Sequence, residues 1–306
     1  MKKLSLIFVL SCYFYFTIGV QAETEAAEHY VALGDSLAAG QNPYSQIDAG
    51  YTDFIAMQLM QSGKLADFTK ELTFPGYTVA NVLASTQSER ADELLRAATL
   101  VTISAGANDL LRLIGHNPSA GTLTFAQLSA DYALNTARKD FVTLLDVVRT
   151  KAPNADIYVM GYYFPYPNAH ESQKVGTSEQ LQLLNEILRH IANEAGAKFV
   201  AVDDVFTSNA RDYLPNVADV HPNQQGYRIM ANAMLREYSG SDALAMSENA
   251  MPAPNPLSFE EILAGQLPET SVETAEKVDD NVAISNSRSI DQYIVYFGYN
   301  KWPLIS

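Results

Sequence analysis

Ser36, in Gly34-Asp35-Ser36-Leu37, and His221, in His221-Pro222-Asn223, are the two side chains of this sequence that together could carry out nucleophilic chemistry. A serine hydroxyl is a weak nucleophile at neutral pH and needs a base whose pKa lies near working pH, which histidine supplies. Attack on an ester carbonyl would place negative charge on the carbonyl oxygen, and a fixed amide aimed at that oxygen lowers the barrier by about 2.7–4 kcal/mol. Asn108, in Gly106-Ala107-Asn108-Asp109, offers such an amide. Gly76, in Phe74-Pro75-Gly76-Tyr77, offers a backbone N–H that an oxyanion can approach closely. Each also has a plainer reading. Strand-ending Gly-Asp-Ser turns arise for structural reasons, His221 suits a helix entry, Asn108 or Asp109 can cap a helix, and Gly76 is a natural turn residue. His29, His116, His170 and His190 have no comparable setting.

These residues need a scaffold that brings them to one edge. From His29 onward, short apolar runs alternate with longer amphipathic segments, the sign of a mostly parallel sheet with helices on both faces: an α/β, three-layer α/β/α sandwich. Five strands are expected, at His29–Leu33, Glu71–Phe74, Leu100–Ser104, Asp156–Met160 and Lys198–Val202. The middle ones lack polar alternation, as strands buried on both faces do. Helical spacing predicts Thr124–Lys151, with Phe125, Leu128, Tyr132, Phe141, Leu145 and Val148 on its apolar face and a break near Asn135. It also predicts Ser178–Ala195, with Leu181, Leu184, Leu188 and Ile191, and a last helix Pro222–Tyr238 opening on a proline. Ser36 then ends the first strand, Asn108 follows the third, and His221 opens the closing helix. Open α/β sheets bind ligands at this carboxyl edge. The aromatic stretch Tyr158–Tyr166 either lines the site or fills core.

Taken in chain order, Gly-Asp-Ser after strand one, Gly76 after strand two, Gly-x-Asn after strand three and a late histidine, the sequence resembles the SGNH hydrolases, also called GDSL esterases and lipases. The resemblance spans roughly His29 to Tyr238. It implies a flavodoxin-like fold, Ser36 as nucleophile, His221 as base, and an oxyanion hole of Ser36, Gly76 and Asn108. One position departs from the pattern: the acid three residues before the histidine is here Ala218, and Asp219 lies two before. Asp219 is taken as the third triad member, with a backbone carbonyl, Asp203 or Asp204 as alternatives. The implied activity is hydrolysis of lipid or lysophospholipid-like acyl esters with no cofactor. Deacetylation of a polysaccharide and non-catalytic surface binding are the competing readings.

Length and composition frame this expectation. The 306 residues are 47% hydrophobic, enough for one large α/β domain with an appendage. Met1–Ala22 begins with Lys2 and Lys3, runs apolar from Leu4 to Val20 and ends in Val20-Gln21-Ala22, the pattern of a cleaved signal peptide. A secreted product with no stable membrane span after cleavage is therefore expected. A transmembrane anchor and a lipid anchor on Cys12 are the alternatives. Cys12 is the only cysteine, so thiol catalysis and cysteine metal sites are excluded from the mature chain. Net charge is −15, and loss of Lys2 and Lys3 with the leader makes it −17. Such a surface repels phosphate backbones, so no nucleic-acid partner is expected, while a small-molecule or lipid ester remains compatible. The hydrolase domain is expected over 23–238, followed by an acidic linker and appendage over 239–306 with a strand-like Ile290–Tyr299. Nothing in the sequence indicates an oligomeric state.

Overall fold

A computed structural model describes residues 27–255. The expected signal peptide, the tail beyond Asn255 and the strand expected at Ile290–Tyr299 lie outside the described residues. Five strands form one wholly parallel sheet: β1 (Glu28–Gly34), β2 (Leu65–Thr73), β3 (Leu100–Ser104), β6 (Asp156–Met160) and β7 (Lys198–Val200), in the order β2-β1-β3-β6-β7. Between β1 and β3 the direction of chain progression reverses, which makes their carboxyl ends the topological switch point. All five residues of β3 and the last five of β1 are buried. Polar groups there are paired: the Thr102 hydroxyl bonds the Tyr30 hydroxyl at 2.8 Å.

Helices cover both faces. On one, α2 (Tyr51–Gln61) packs against α10 (Gln224–Ser239). On the other, α6 (Gln127–Lys151) packs with α3 (Val79–Ser85), α4 (Glu89–Ala97) and α7 (Glu171–Glu194). Helix α6 runs unbroken past Asn135 because Ala133, Leu134 and Ala137 continue its buried face. Its amino-terminal half buries alanines, while Leu128 and Tyr132, expected in the core, are 82% and 73% exposed. Helix α10 begins one residue after its cap, Asn223, so Pro222 precedes the helix. A small antiparallel hairpin, β4 (Gly115–Asn117) with β5 (Thr122–Thr124), stands apart from the main sheet. Short helices α1 (Ser36–Ala39), α5 (Ala107–Leu111), α8 (Asp203–Thr207) and α9 (Ala210–Tyr213) complete the carboxyl edge.

Beyond α10 the chain stays on this body. Met246 is buried, its main chain held by both ends of the Asn232 amide and by Arg228. Asn255 then donates to Ile47 O and to Asp48 Oδ1, an oxygen that also accepts from Gln224. Residues 240–255 thus double back along α10 from its end toward its start. Among the described residues no helix is long and apolar enough to cross a membrane.

Candidate active site

Gly34 fixes the exit from β1. Its φ is +148°, and a Cβ there would stand 2.4 Å from the Ser104 carbonyl oxygen on β3. Only glycine tolerates both the dihedral and the approach. The chain then enters α1, capped by Asp35, whose Oδ1 accepts from Leu37 N–H at 3.0 Å. Ser36 is the first helical residue. Its N–H has no acceptor among the described residues, as expected for the opening position of a helix.

Asp35 is anchored on three sides. Oδ1 also accepts from the Ser104 hydroxyl at 3.0 Å, and Oδ2 accepts from the Tyr162 hydroxyl at 2.7 Å. Burial pushes its carboxyl above the usual carboxylate range, and these donors together with His221 offset part of the rise. Burial and the Asp35 charge drive the Tyr162 hydroxyl well above its ordinary range, so it remains a donor. Asn185 on α7 in turn grips the Tyr162 main chain, accepting from its N–H at 2.9 Å and donating to its carbonyl at 2.8 Å.

His221 sits on the loop between α9 and α10. The loop is pinned by Asn223, which donates to Asp212 O at 2.8 Å and caps α10 through Gly226 N–H at 3.0 Å. It is pinned again by the Tyr163 hydroxyl, which donates to Val220 O at 2.8 Å while the Tyr163 ring stacks on Phe206 at 4.0 Å. His221 Nε2 lies 2.7 Å from Ser36 Oγ, and Nδ1 lies 2.7 Å from Asp219 Oδ1. The same Asp219 oxygen accepts the main-chain N–H of His221 at 2.7 Å. This Asx-turn curls the backbone so that a carboxylate two residues away reaches the imidazole. A carboxylate only accepts, so Nδ1 carries the hydrogen and Nε2 is left to accept from Ser36. The structure thus joins Ser36, His221 and Asp219 in one hydrogen-bonded line.

Neither Asn108 nor Asp109 caps α5, whose cap is Gly106. Asn108 Nδ2 donates to Tyr77 O at 2.8 Å, and buried Asp109 accepts from Val79 N–H, the first of α3, at 3.0 Å. Together they tie α5 to the turn after β2 and the start of α3. That turn, Phe74–Tyr77, has Tyr77 N–H on Phe74 O at 3.2 Å, Pro75 second and Gly76 third with φ +84°, the pattern of a type II turn. Gly76 is exposed, its N–H has no acceptor among the described residues, and it stands outside the cleft that Asn108 lines.

That cleft opens over Ser36 and His221. Its wall is mostly apolar, with Leu37, Leu110, Leu111, Ile114, Phe164 and Val220 among its residues. Tyr162, Tyr163 and Tyr166 of the aromatic stretch line it as well, whereas Tyr158 is core. The sequence reading missed Asp35 as an anchor, Tyr162 and Tyr163 as supports, and the polar residues Thr177, Gln180 and Asn185. The available signal was on α7, where Thr177, Gln180 and Asn185 interrupt an otherwise aliphatic buried stripe. Among the described residues, no group of three or more His, Cys, Asp or Glu converges as a metal site needs.

The GDSL-like Lipase/Acylhydrolase family profile matches residues 32–229. A search of curated proteins finds no match. Among solved structures, the lipase Lip_vut3 from a goat rumen metagenome is 18% identical with a TM-score of 0.56, over 70% of this chain and 98% of that one. The acetylxylan esterase Axe2 of Geobacillus stearothermophilus is 18% identical with a TM-score of 0.52, over 71% and 96%. Phospholipase A1 of Streptomyces albidoflavus NA297 is 18% identical with a TM-score of 0.50, over 69% and 99%. At these identities the structural likeness speaks for the shared fold, while the profile spans both Ser36 and His221. The chain belongs to the GDSL-like lipase/acylhydrolase family.

Proposed function

We propose that this protein is a secreted serine esterase that hydrolyses lipid or lysophospholipid-like acyl esters through an acyl-enzyme on Ser36. The observation that carries the reading is the 2.7 Å contact of Ser36 Oγ with His221 Nε2 at the foot of an apolar cleft. As Ser36 Oγ attacks the acyl carbon, His221 Nε2 takes its proton and Asp219 stabilises the resulting imidazolium. The carbonyl oxygen becomes an anion received by the Ser36 N–H and by the second Nδ2 hydrogen of Asn108, without Gly76, which stands outside the cleft. Collapse expels the alcohol, protonated by His221. Water, activated by the same imidazole, then cleaves the acyl-serine and restores the hydroxyl. No step calls on a metal or an organic cofactor.

The apolar wall favours an acyl chain over a bare acetyl group. Each methylene buried on binding contributes about 0.8 kcal/mol, so kcat/KM on p-nitrophenyl esters should climb from acetate to chains of about six carbons or more. Activity confined to the acetyl ester would instead favour a carbohydrate deacetylase. A serine-directed organophosphonate should add its mass to Ser36 and block turnover, with Ser36→Ala unlabelled. Absence of both labelling and turnover would favour a binding protein. Export is tested by sequencing the amino terminus of the mature product, expected at Glu23.

A further inference from the structure

We propose that Gln180 is a specificity-determining residue that hydrogen-bonds a hydroxyl group of the substrate within the cleft. The proposal rests on reading this cleft as the substrate site. Gln180 lines the cleft on α7, yet it is only 4% exposed. Its Oε1 is buried with no hydrogen-bond partner among the described residues. Thr177, the polar neighbour one turn earlier, does not donate to Oε1, because its hydroxyl proton is turned back onto Lys174 O at 3.0 Å and Gln173 O at 3.3 Å. The surrounding wall is aliphatic: Leu111, Ile114, Leu181 and Leu184.

A buried amide oxygen without a partner costs stability that a methionine of similar volume would not. The group that removes this cost must satisfy an amide. A hydroxyl fits best, since it both donates to Oε1 and accepts from Nε2, and so matches either rotation of the terminal amide, whose torsion is soft. A carbonyl or an ammonium matches only one.

The position along α7 says where on the substrate that hydroxyl lies. Leu184 stands 3.0 Å from where a Cβ on Gly106 would be, at the cap of α5, the helix that carries Asn108. Gln180 lies four residues before Leu184, about 6 Å along the helix axis. The hydroxyl is therefore displaced by roughly one helical turn from the reacting carbonyl, on the acyl chain or on the alcohol moiety.

The test measures binding without turnover, using Ser36→Ala protein and isothermal calorimetry. One arm compares methyl octanoate with a series of methyl hydroxyoctanoates in which the hydroxyl is moved along the chain. The other compares propyl octanoate with octanoylglycerol. Tightening of about tenfold by the hydroxyl in either arm, abolished when Gln180→Met is added, supports the assignment and identifies the acyl or the alcohol side. Equal affinity within every pair overturns it, whether or not the Gln180→Met protein folds. A hydroxyl preference that survives Gln180→Met overturns it as well. Binding of no ester at all overturns the reading of the cleft as an acyl site, and the role of Gln180 with it.

Discussion

Asp219 Oδ1 accepts both the main-chain and the side-chain N–H of His221, so its two roles, shaping the loop and countering charge, are separable by substitution. Asparagine keeps an oxygen for both bonds but carries no charge. Asp219→Asn should therefore leave KM nearly unchanged and lower kcat by about 10²- to 10⁴-fold, because the imidazolium loses its counter-charge. A loss under tenfold would reduce Asp219 to a loop-shaping residue. On the proposed role of Asn108 as an oxyanion donor, Asn108→Ala should lower kcat by about 10²- to 10³-fold in steady-state assays. Asp35 yields a prediction on stability rather than rate. Its folded carboxyl is raised by burial, so its contribution is fully present below the ordinary carboxylate pKa and is lost as pH climbs through the raised value. Asp35→Asn abolishes this titration, and asparagine can still cap α1 through its carbonyl oxygen. The melting temperature of Asp35→Asn relative to wild type should rise steadily from acid to neutral pH. A difference that stays constant with pH would mean that Asp35 ionises as an exposed carboxylate does.

At the level of elements, the site depends on how closely β1 passes β3. Gly34→Ala places a methyl within 2.4 Å of Ser104 O at a dihedral unsuited to alanine, and should destabilise by more than about 2 kcal/mol in urea unfolding. Unchanged stability would mean the strand end relaxes freely. The same scale explains what could be read in the sequence. Strands β3 and β6 are legible residue for residue, since a short, nearly continuous apolar run has few alternatives. Only the end of β2 was legible, because β2 is an edge strand and its first half, Leu65–Thr69, is not buried. Helix α7 starts at Glu171, not Ser178, because Gly176 and the β-branched Val175 and Thr177 weaken the helical signal there. Contact with the β4–β5 hairpin supplies what propensity does not. Helices α3 and α4, unread in the sequence, are short and are specified by their caps and contacts, such as the Thr78–Asn81 capping box, the Ser88 cap of α4 and the Asp109 bond to α3. The meeting of Ser36 and His221 was legible through motif order. The Asx-turn that brings Asp219 to the imidazole was not, because it depends on a backbone curl that spacing alone does not reveal.

For the whole molecule, the dominant quantity is charge. At −15 for the full chain the protein repels anionic substrates and anionic surfaces before any contact within the cleft is made. Among the described residues, the cleft adds no compensating cation, since its lining contains no lysine or arginine. On the proposed lipid-ester reading, selection between headgroups would be electrostatic and long-ranged, whereas selection between acyl chains would be apolar and local. The two respond differently to salt. Raising ionic strength from about 0.01 M to about 0.15 M shortens the screening length from about 30 Å to about 8 Å, which removes most of the long-range repulsion and leaves burial of methylenes almost untouched. Hydrolysis of an anionic lysophospholipid should therefore accelerate several-fold across this range through a fall in KM, while hydrolysis of a neutral monoacylglycerol of the same chain length stays level. Initial rates on the two substrates, each kept below its micelle-forming concentration, provide the comparison. Parallel salt curves would show that the net charge does not reach the cleft mouth, and would transfer headgroup selection to local contacts such as Gln180.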